Sequence, residues 1–190
     1  MPAQIRNDEN LLIEQARQGD RTAFGELVRQ HQASVIAVVT RMCGDIHLAE
    51  DAAQDAFIKA WRHLDGYQPN TNLCNWLYRI AINSALDILR RERGHPGGDA
   101  ITDQRDPKPG PEHELMKKQR SLTIQKAIMA LTESNRSVLV LREYGGMSYL
   151  EIAAALEIPL GTVMSRLNTA RAQLRISLQP LLEEMEVVDG

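Results

Sequence analysis

The sequence predicts an all-α protein built as two small helical domains joined by a flexible linker, the second a four-helix domain with a helix-turn-helix. Three observations predict it. Apolar residues recur at helical spacing on both sides of the chain's midpoint, and no segment alternates with a period of two. Polar residues that cap helix N-termini and glycines that end helices punctuate those runs. Residues 94–111 hold four of the eight prolines and four of the twelve glycines with almost no apolar side chain, the composition of a linker. The expected division is therefore 1–93, linker 94–111 and 112–190.

The first helix runs from about Asp8 to Gln18 and stops at Gly19; the second starts after Asp20 and stops at Gly44. A third runs from about Ile46 to Leu64. The segment GYQPNTN breaks the pattern, and a fourth helix follows from about Leu73 to Arg93. After the linker, Ile124, Ala127, Ile128 and Leu131 keep i, i+3, i+4, i+7 spacing. A shorter helix covers about Asn135 to Tyr144 and ends at Gly145 and Gly146. Ser148 and Glu151 form the S-x-x-E capping box that starts the next helix. Pro159 sits in a short break, and the last helix begins near Thr162.

Composition excludes more than it assigns. The net charge of −3 leaves little of the phosphate-contact energy on which autonomous DNA binders depend, so any DNA contact is expected to be weak without a partner. Cys43 and Cys74 lie far apart with no CxxC pair and no metal-ligand spacing, so neither a metal nor a cofactor is expected. No run approaches the ~20 apolar residues of a membrane span, so no membrane insertion and a cytoplasmic location are expected. No nucleophile–base pair and no phosphate-binding glycine loop appears, so no catalytic residues and no small-molecule substrate are assigned.

Three surfaces stand out. From Ser148 to Arg171, Ile152, Ala153 and Leu156 share one helix face, and Val163, Leu167 and Ala170 share one face of the next. Two short helices, each with one buried stripe and a three- or four-residue turn between, form a helix-turn-helix. A plain helical hairpin with a solvated face would show the same pattern. In the second helix Ser165, Asn168, Thr169 and Ala172 point away from the buried stripe, with Met164 and Arg166 flanking it.

The fourth helix is apolar on two sides. Leu73, Leu77, Ile80, Ser84 and Ile88 line one; Tyr78, Ile82, Leu86 and Leu89 line the other. Between them Asn72, Trp76, Arg79, Asn83 and Arg90 fall in one arc, an aromatic, amide and guanidinium column suited to single-stranded nucleic acid. The competing reading makes Trp76 core and the arginines solvated. On the third helix Leu48, Asp51, Asp55, Ile58, Lys59 and Arg62, with Gln54 at the border, face away from the stripe Ile46, Ala49, Ala53, Ala56, Phe57 and Ala60. That fits either a partner surface with a charged rim or a solvated face with stray apolar residues.

These segments together resemble the sigma factors of bacterial RNA polymerase. HLAEDAAQDAFIKAWRHLDGY is similar to sigma region 2.2, TNLCNWLYRIAINSALDILRRER to regions 2.3 and 2.4, and SYLEIAAALEIPLGTVMSRLNTARAQL to region 4.2. The absence of segments resembling regions 1.1 and 3 identifies the extracytoplasmic-function type. The resemblance implies a promoter-recognising subunit with no enzyme activity. Its implied partners are core RNA polymerase, through the β′ coiled coil and the β flap, promoter DNA and an anti-sigma factor. It places Asp51, Gln54, Asp55 and Ile58 on the β′ coiled coil. It places Tyr67, Asn70, Asn72, Trp76, Arg79, Asn83 and Arg90 at the −10 element. It places Thr162, Met164, Ser165, Arg166, Asn168, Thr169 and Arg171 at the −35 element. Met164 stands where similar proteins often carry Lys or Arg, so fewer or different −35 contacts are expected.

Overall fold

The computed structural model describes residues 2–68, 71–93 and 112–188. Among them the chain forms eight α-helices: α1 (Pro2–Arg17), α2 (Arg21–Cys43), α3 (Ile46–Arg62), α4 (Leu73–Arg93), α5 (Glu112–Met129), α6 (Glu133–Glu143), α7 (Tyr149–Leu156) and α8 (Leu160–Val188). A 3-10 turn, Leu64–Gly66, follows α3. The linker expected over 94–111 lies outside the described residues.

The punctuation read from the sequence is where the helices begin and end. Asp20 accepts from the Thr22 and Ala23 amides at 2.8 and 3.2 Å, and Asp45 caps α3 through the His47 and Leu48 amides. Gly44 ends α2 at φ +78 in the left-handed region, and a Cβ there would also meet Met129 Sδ at 2.9 Å. Ser148 and Glu151 close a reciprocal capping box on α7.

The 3-10 turn stops α3 at Arg62 rather than Leu64. Three helices begin earlier than the sequence expectation: α1 at Pro2, α6 at Glu133 behind the Thr132 cap, and α8 at Leu160, where the Pro159 carbonyl accepts from the Thr162 and Val163 amides.

Alanine sets the packing of the first half. Ala49, Ala52, Ala53, Ala56 and Ala60 of α3 are all buried, so α2 and α4 approach it closely. Val35, Val39, Met42, Leu77 and Ile82 fill the space around them. In the second half Ile128, Leu131, Val138, Leu141, Met147, Ile152, Val163 and Leu167 form the corresponding core between α5, α6, α7 and α8. The halves also touch: α2 meets α5 and α6, and α4 meets α6 and α7.

Candidate nucleic-acid and polymerase interfaces

The α4 column survives folding as a surface. Asn72, Arg79, Asn83 and Arg90 are exposed, while both flanks are anchored by buried Leu73, Leu77, Tyr78, Ala81, Ile82 and Ala85. Trp76 is half-buried, its ring centroid 5.5 Å from that of Tyr67 in an edge contact. Its indole therefore belongs partly to the core and partly to the surface. Asn72 also caps α4 by accepting from the Cys74 amide at 2.8 Å.

Tyr67 corrects the sequence expectation. It was expected on the DNA-facing loop, yet it is 3% exposed. Its hydroxyl donates to the Thr71 carbonyl at 2.7 Å, and its own carbonyl accepts from the Arg17 guanidinium, which also lies over its ring. The residue braces the loop ahead of α4 from inside, because a ring with a satisfied hydroxyl is more stable buried than solvated. Asn70 lies outside the described residues.

A second polar cluster fixes α4 on its other neighbours. His31 pairs with Glu9 at 2.9 Å, and Ser34 lies 3.8 Å from the Cys74 thiol. A hydrogen bond with Cys74 raises the His31 pKa. Burial pushes the Tyr78 hydroxyl up to about 12, so it stays neutral.

On α3, Asp51, Gln54 and Ile58 are exposed, Ile58 at 45%. Gln54 and Ile58, with Glu50, border a cleft of about 450 Å³ lined with Phe24, Val28, Phe57 and Trp61. Phe24 and Trp61 pack with centroids 5.0 Å apart. An apolar floor with a rim of acid and amide is the anatomy of a protein interface. The α2 residues of this cleft carried no sequence signal, since only folding brings Phe24 beside Trp61. Asp55 is tied differently: Lys59 lies 2.7 Å away, and that hydrogen bond holds the carboxyl below the usual carboxylate range.

In the second half, Val163, Leu167 and Ala170 of α8 are buried against α6 and α7. The opposite column is Met164 (48% exposed), Ser165, Asn168, Thr169 and Arg171, with Thr162 and Arg166 half-buried. Ser165 and Thr169 donate their hydroxyls back to the Thr162 and Ser165 carbonyls, leaving them as acceptors outward. Arg171 pairs with Glu143 at 2.8 Å. Small and polar side chains on an exposed helix of a helix-turn-helix suit a major groove. Among the described residues no group of three or more metal-ligating side chains gathers, and no helix is long and apolar enough to cross a membrane.

Two exposed polar helix columns, one in each half, and an acid-rimmed apolar cleft beside the first define a helical DNA-recognition protein with a protein-docking face. The family profile of Sigma-70 region 2 matches residues 27–95, and that of Sigma-70, region 4, matches residues 121–174. The RNA polymerase sigma-H factor of Pseudomonas aeruginosa is 35% identical over 94% of this chain and 98% of its own length. The ECF RNA polymerase sigma-E factor of Escherichia coli is 35% identical over 92% of this chain and 96% of its own. Two solved structures align well. CnrH, in complex with the cytosolic domain of CnrY, has a TM-score of 0.67 and 27% identity over 91% of this chain and 98% of its own. The sigma factor RpoE of Bartonella quintana, in complex with the anti-sigma factor NepR, has a TM-score of 0.66 and 26% identity over 82% and 96%. The chain belongs to the extracytoplasmic-function sigma factors of the sigma-70 family, which direct RNA polymerase to promoters and are not enzymes.

Proposed function

We propose that the three surfaces divide the work of promoter recognition. Asp51, Gln54, Asp55 and Ile58, of which Gln54 and Ile58 line the Phe24–Trp61 cleft, dock on the β′ coiled coil of core polymerase. Asn72, Trp76, Arg79, Asn83 and Arg90 receive an unpaired base and its flanking phosphates at the −10 element, with Asn70 in the preceding loop and Tyr67 as internal support. Thr162, Met164, Ser165, Arg166, Asn168, Thr169 and Arg171 read the −35 element, and the second half also meets the β flap. The units are 1–93 and 112–190 with 94–111 as the connection. The protein works in the cytoplasm, where the polymerase is, and is held inactive by an anti-sigma factor.

The observation that carries this reading is the α4 column: a half-exposed indole beside exposed amides and guanidinium groups on a rigid helix, a base-stacking and phosphate-holding surface. The low charge of the chain supports dependence on polymerase for affinity. The test is a gel shift near physiological salt with promoter DNA. The chain with core polymerase should give a specific complex, and the chain alone should not. Tight sequence-specific binding by the chain alone would favour a repressor or activator instead.

A further inference from the structure

The first turns of α8 expose apolar side chains where hydrogen-bonding ones are the common means of reading DNA. Leu160 is 40% exposed and Met164 48%. They stand one turn apart, about 40° round the helix from each other, so they form one continuous apolar spot. Gly161 lies beside it, and a Cβ there would meet nothing within 4 Å, so the approach is open. The core does not claim either side chain: its stripe on this helix is Val163, Leu167 and Ala170, all buried.

The polar groups nearby leave this spot apolar. Ser165 and Thr169 direct their hydroxyl protons inward, at 3.1 and 3.0 Å, to the Thr162 and Ser165 carbonyls. Arg166 is half-buried and lies about 160° round the helix from Met164. Arg171, two turns beyond Met164, pairs with Glu143 at 2.8 Å. Asn168 is exposed one turn after Met164 on the same side, so the column runs apolar, apolar, amide.

In helix-turn-helix docking, the N-terminal residues of the second helix meet base edges in the major groove. That groove offers hydrogen-bonding atoms from every base and one apolar group, the C5-methyl of thymine. A thioether or isobutyl group pressed on guanine O6 and N7, or on the amino group of adenine or cytosine, strips water from a polar atom and returns no hydrogen bond. Pressed on a thymine methyl, it buries apolar surface on both partners. The methyl is therefore the group of a duplex that this spot complements.

We propose that Leu160 and Met164 form a thymine-methyl contact that sets the base preference of this chain at the −35 element. Recognition there is by apolar fit to a methyl group, with Asn168 following it along the groove. The proposal deepens the sigma-factor reading above and rests on it.

The test uses the full chain with core polymerase, which first selects binding sites from duplex DNA randomised across the promoter region. The recovered −35 element is then remade with each thymine in turn replaced by deoxyuridine, which pairs identically and lacks only the C5-methyl. At one of these positions at least, the replacement should weaken binding about fourfold, the worth of one buried methyl. With Met164→Ala, the thymine and deoxyuridine duplexes should bind alike. A repeated selection with Met164→Lys should recover guanine in place of that thymine, because an ammonium donates to guanine O6 and N7. Thermal melting of the variants should match the parent, since both side chains are exposed. A −35 element without thymine, no loss at any deoxyuridine, or a loss that persists undiminished in both Met164→Ala and Leu160→Ala would each overturn the contact. So would variants that lose affinity for core polymerase yet still distinguish deoxyuridine, because the spot would then be a protein contact. Enrichment of the same sequence by the chain alone would sink the sigma-factor reading instead, and the deoxyuridine series on that sequence would still decide the contact. Enrichment of no sequence under either condition overturns both.

Discussion

Lys59 of α3 donates its ammonium to Ser84 Oγ of α4 across 3.0 Å, and Ser84 is 1% exposed. A buried hydroxyl next in sequence to Asn83 is thus held by the helix that carries Asp51 and Asp55. Asp55, 2.7 Å from the same ammonium, completes the contact.

Asp51 and Asp55 of α3 should therefore separate on mutation. Asp51→Arg should weaken core-polymerase binding and leave the melting temperature unchanged, since it only puts a like charge against a basic rim. Asp55→Arg should weaken binding similarly and also lose about 0.2–1 kcal/mol of stability, the range for an exposed ion pair. Polymerase affinity and thermal melting of both variants check this; equal affinity to the parent in both would remove α3 from the interface.

Asn83 and Trp76 should divide in the same assays. Asn83→Ala is a surface change and should keep stability within about ±0.5 kcal/mol while reducing open-complex formation. Trp76→Ala should do both harms, because its ring packs on Tyr67 and also faces outward: about 1–3 kcal/mol of base stacking is lost, and about 2–3 kcal/mol of fold stability. Permanganate reactivity of −10 thymines, on duplex and pre-melted templates, reads the first loss. Undiminished opening by Asn83→Ala would exclude it from base capture. Persistent loss on the pre-melted template would assign the column to holding the base rather than to separating strands.

Arg136→Met should cost on the order of 3 kcal/mol, since three carbonyls, those of Met42, Met129 and Leu131, lose a charged donor in a buried site. In a chain of this size that lowers the melting temperature by about 6–12 °C. Calorimetry reads it directly, and a shift under about 2 °C would mean that water replaces the guanidinium.

The capping box of α7 should be acid-labile. Hydrogen bonds from Ser148 hold the Glu151 carboxyl below its ordinary value of 4.5, so the ionised form is favoured in the folded chain. A folded pKa below the unfolded one gives stability that is present above 4.5 and lost as pH falls through the lower folded value. Denaturant unfolding between pH 7 and pH 3 should show the parent losing more stability than Glu151→Gln, whose amide does not titrate. Parallel pH curves would refute the role of the carboxylate. Ser148→Ala should cost about 1 kcal/mol at neutral pH, as loss of an N-cap does.

What the sequence determined alone was everything written in local order. Helix class, the caps at Asp20, Asp45 and Ser148, the stops at Gly19 and Gly44, the helix-turn-helix seam of Ile152, Val163, Leu167 and Ala170, and the α4 column follow from periods and spacings within one or two turns. Its two-sided α4 pattern was legible too, but the partner of the second side was not. Only the tertiary structure put Gly145 against Tyr78, Phe24 beside Trp61, Arg136 on the Met42 carbonyl and Tyr67 inside rather than on the DNA side. Each of those contacts joins residues on different helices or across a loop, and such pairs leave no periodicity in the chain. Whether an aromatic ring or a guanidinium is buried depends on which distant surface covers it, and that is settled by packing.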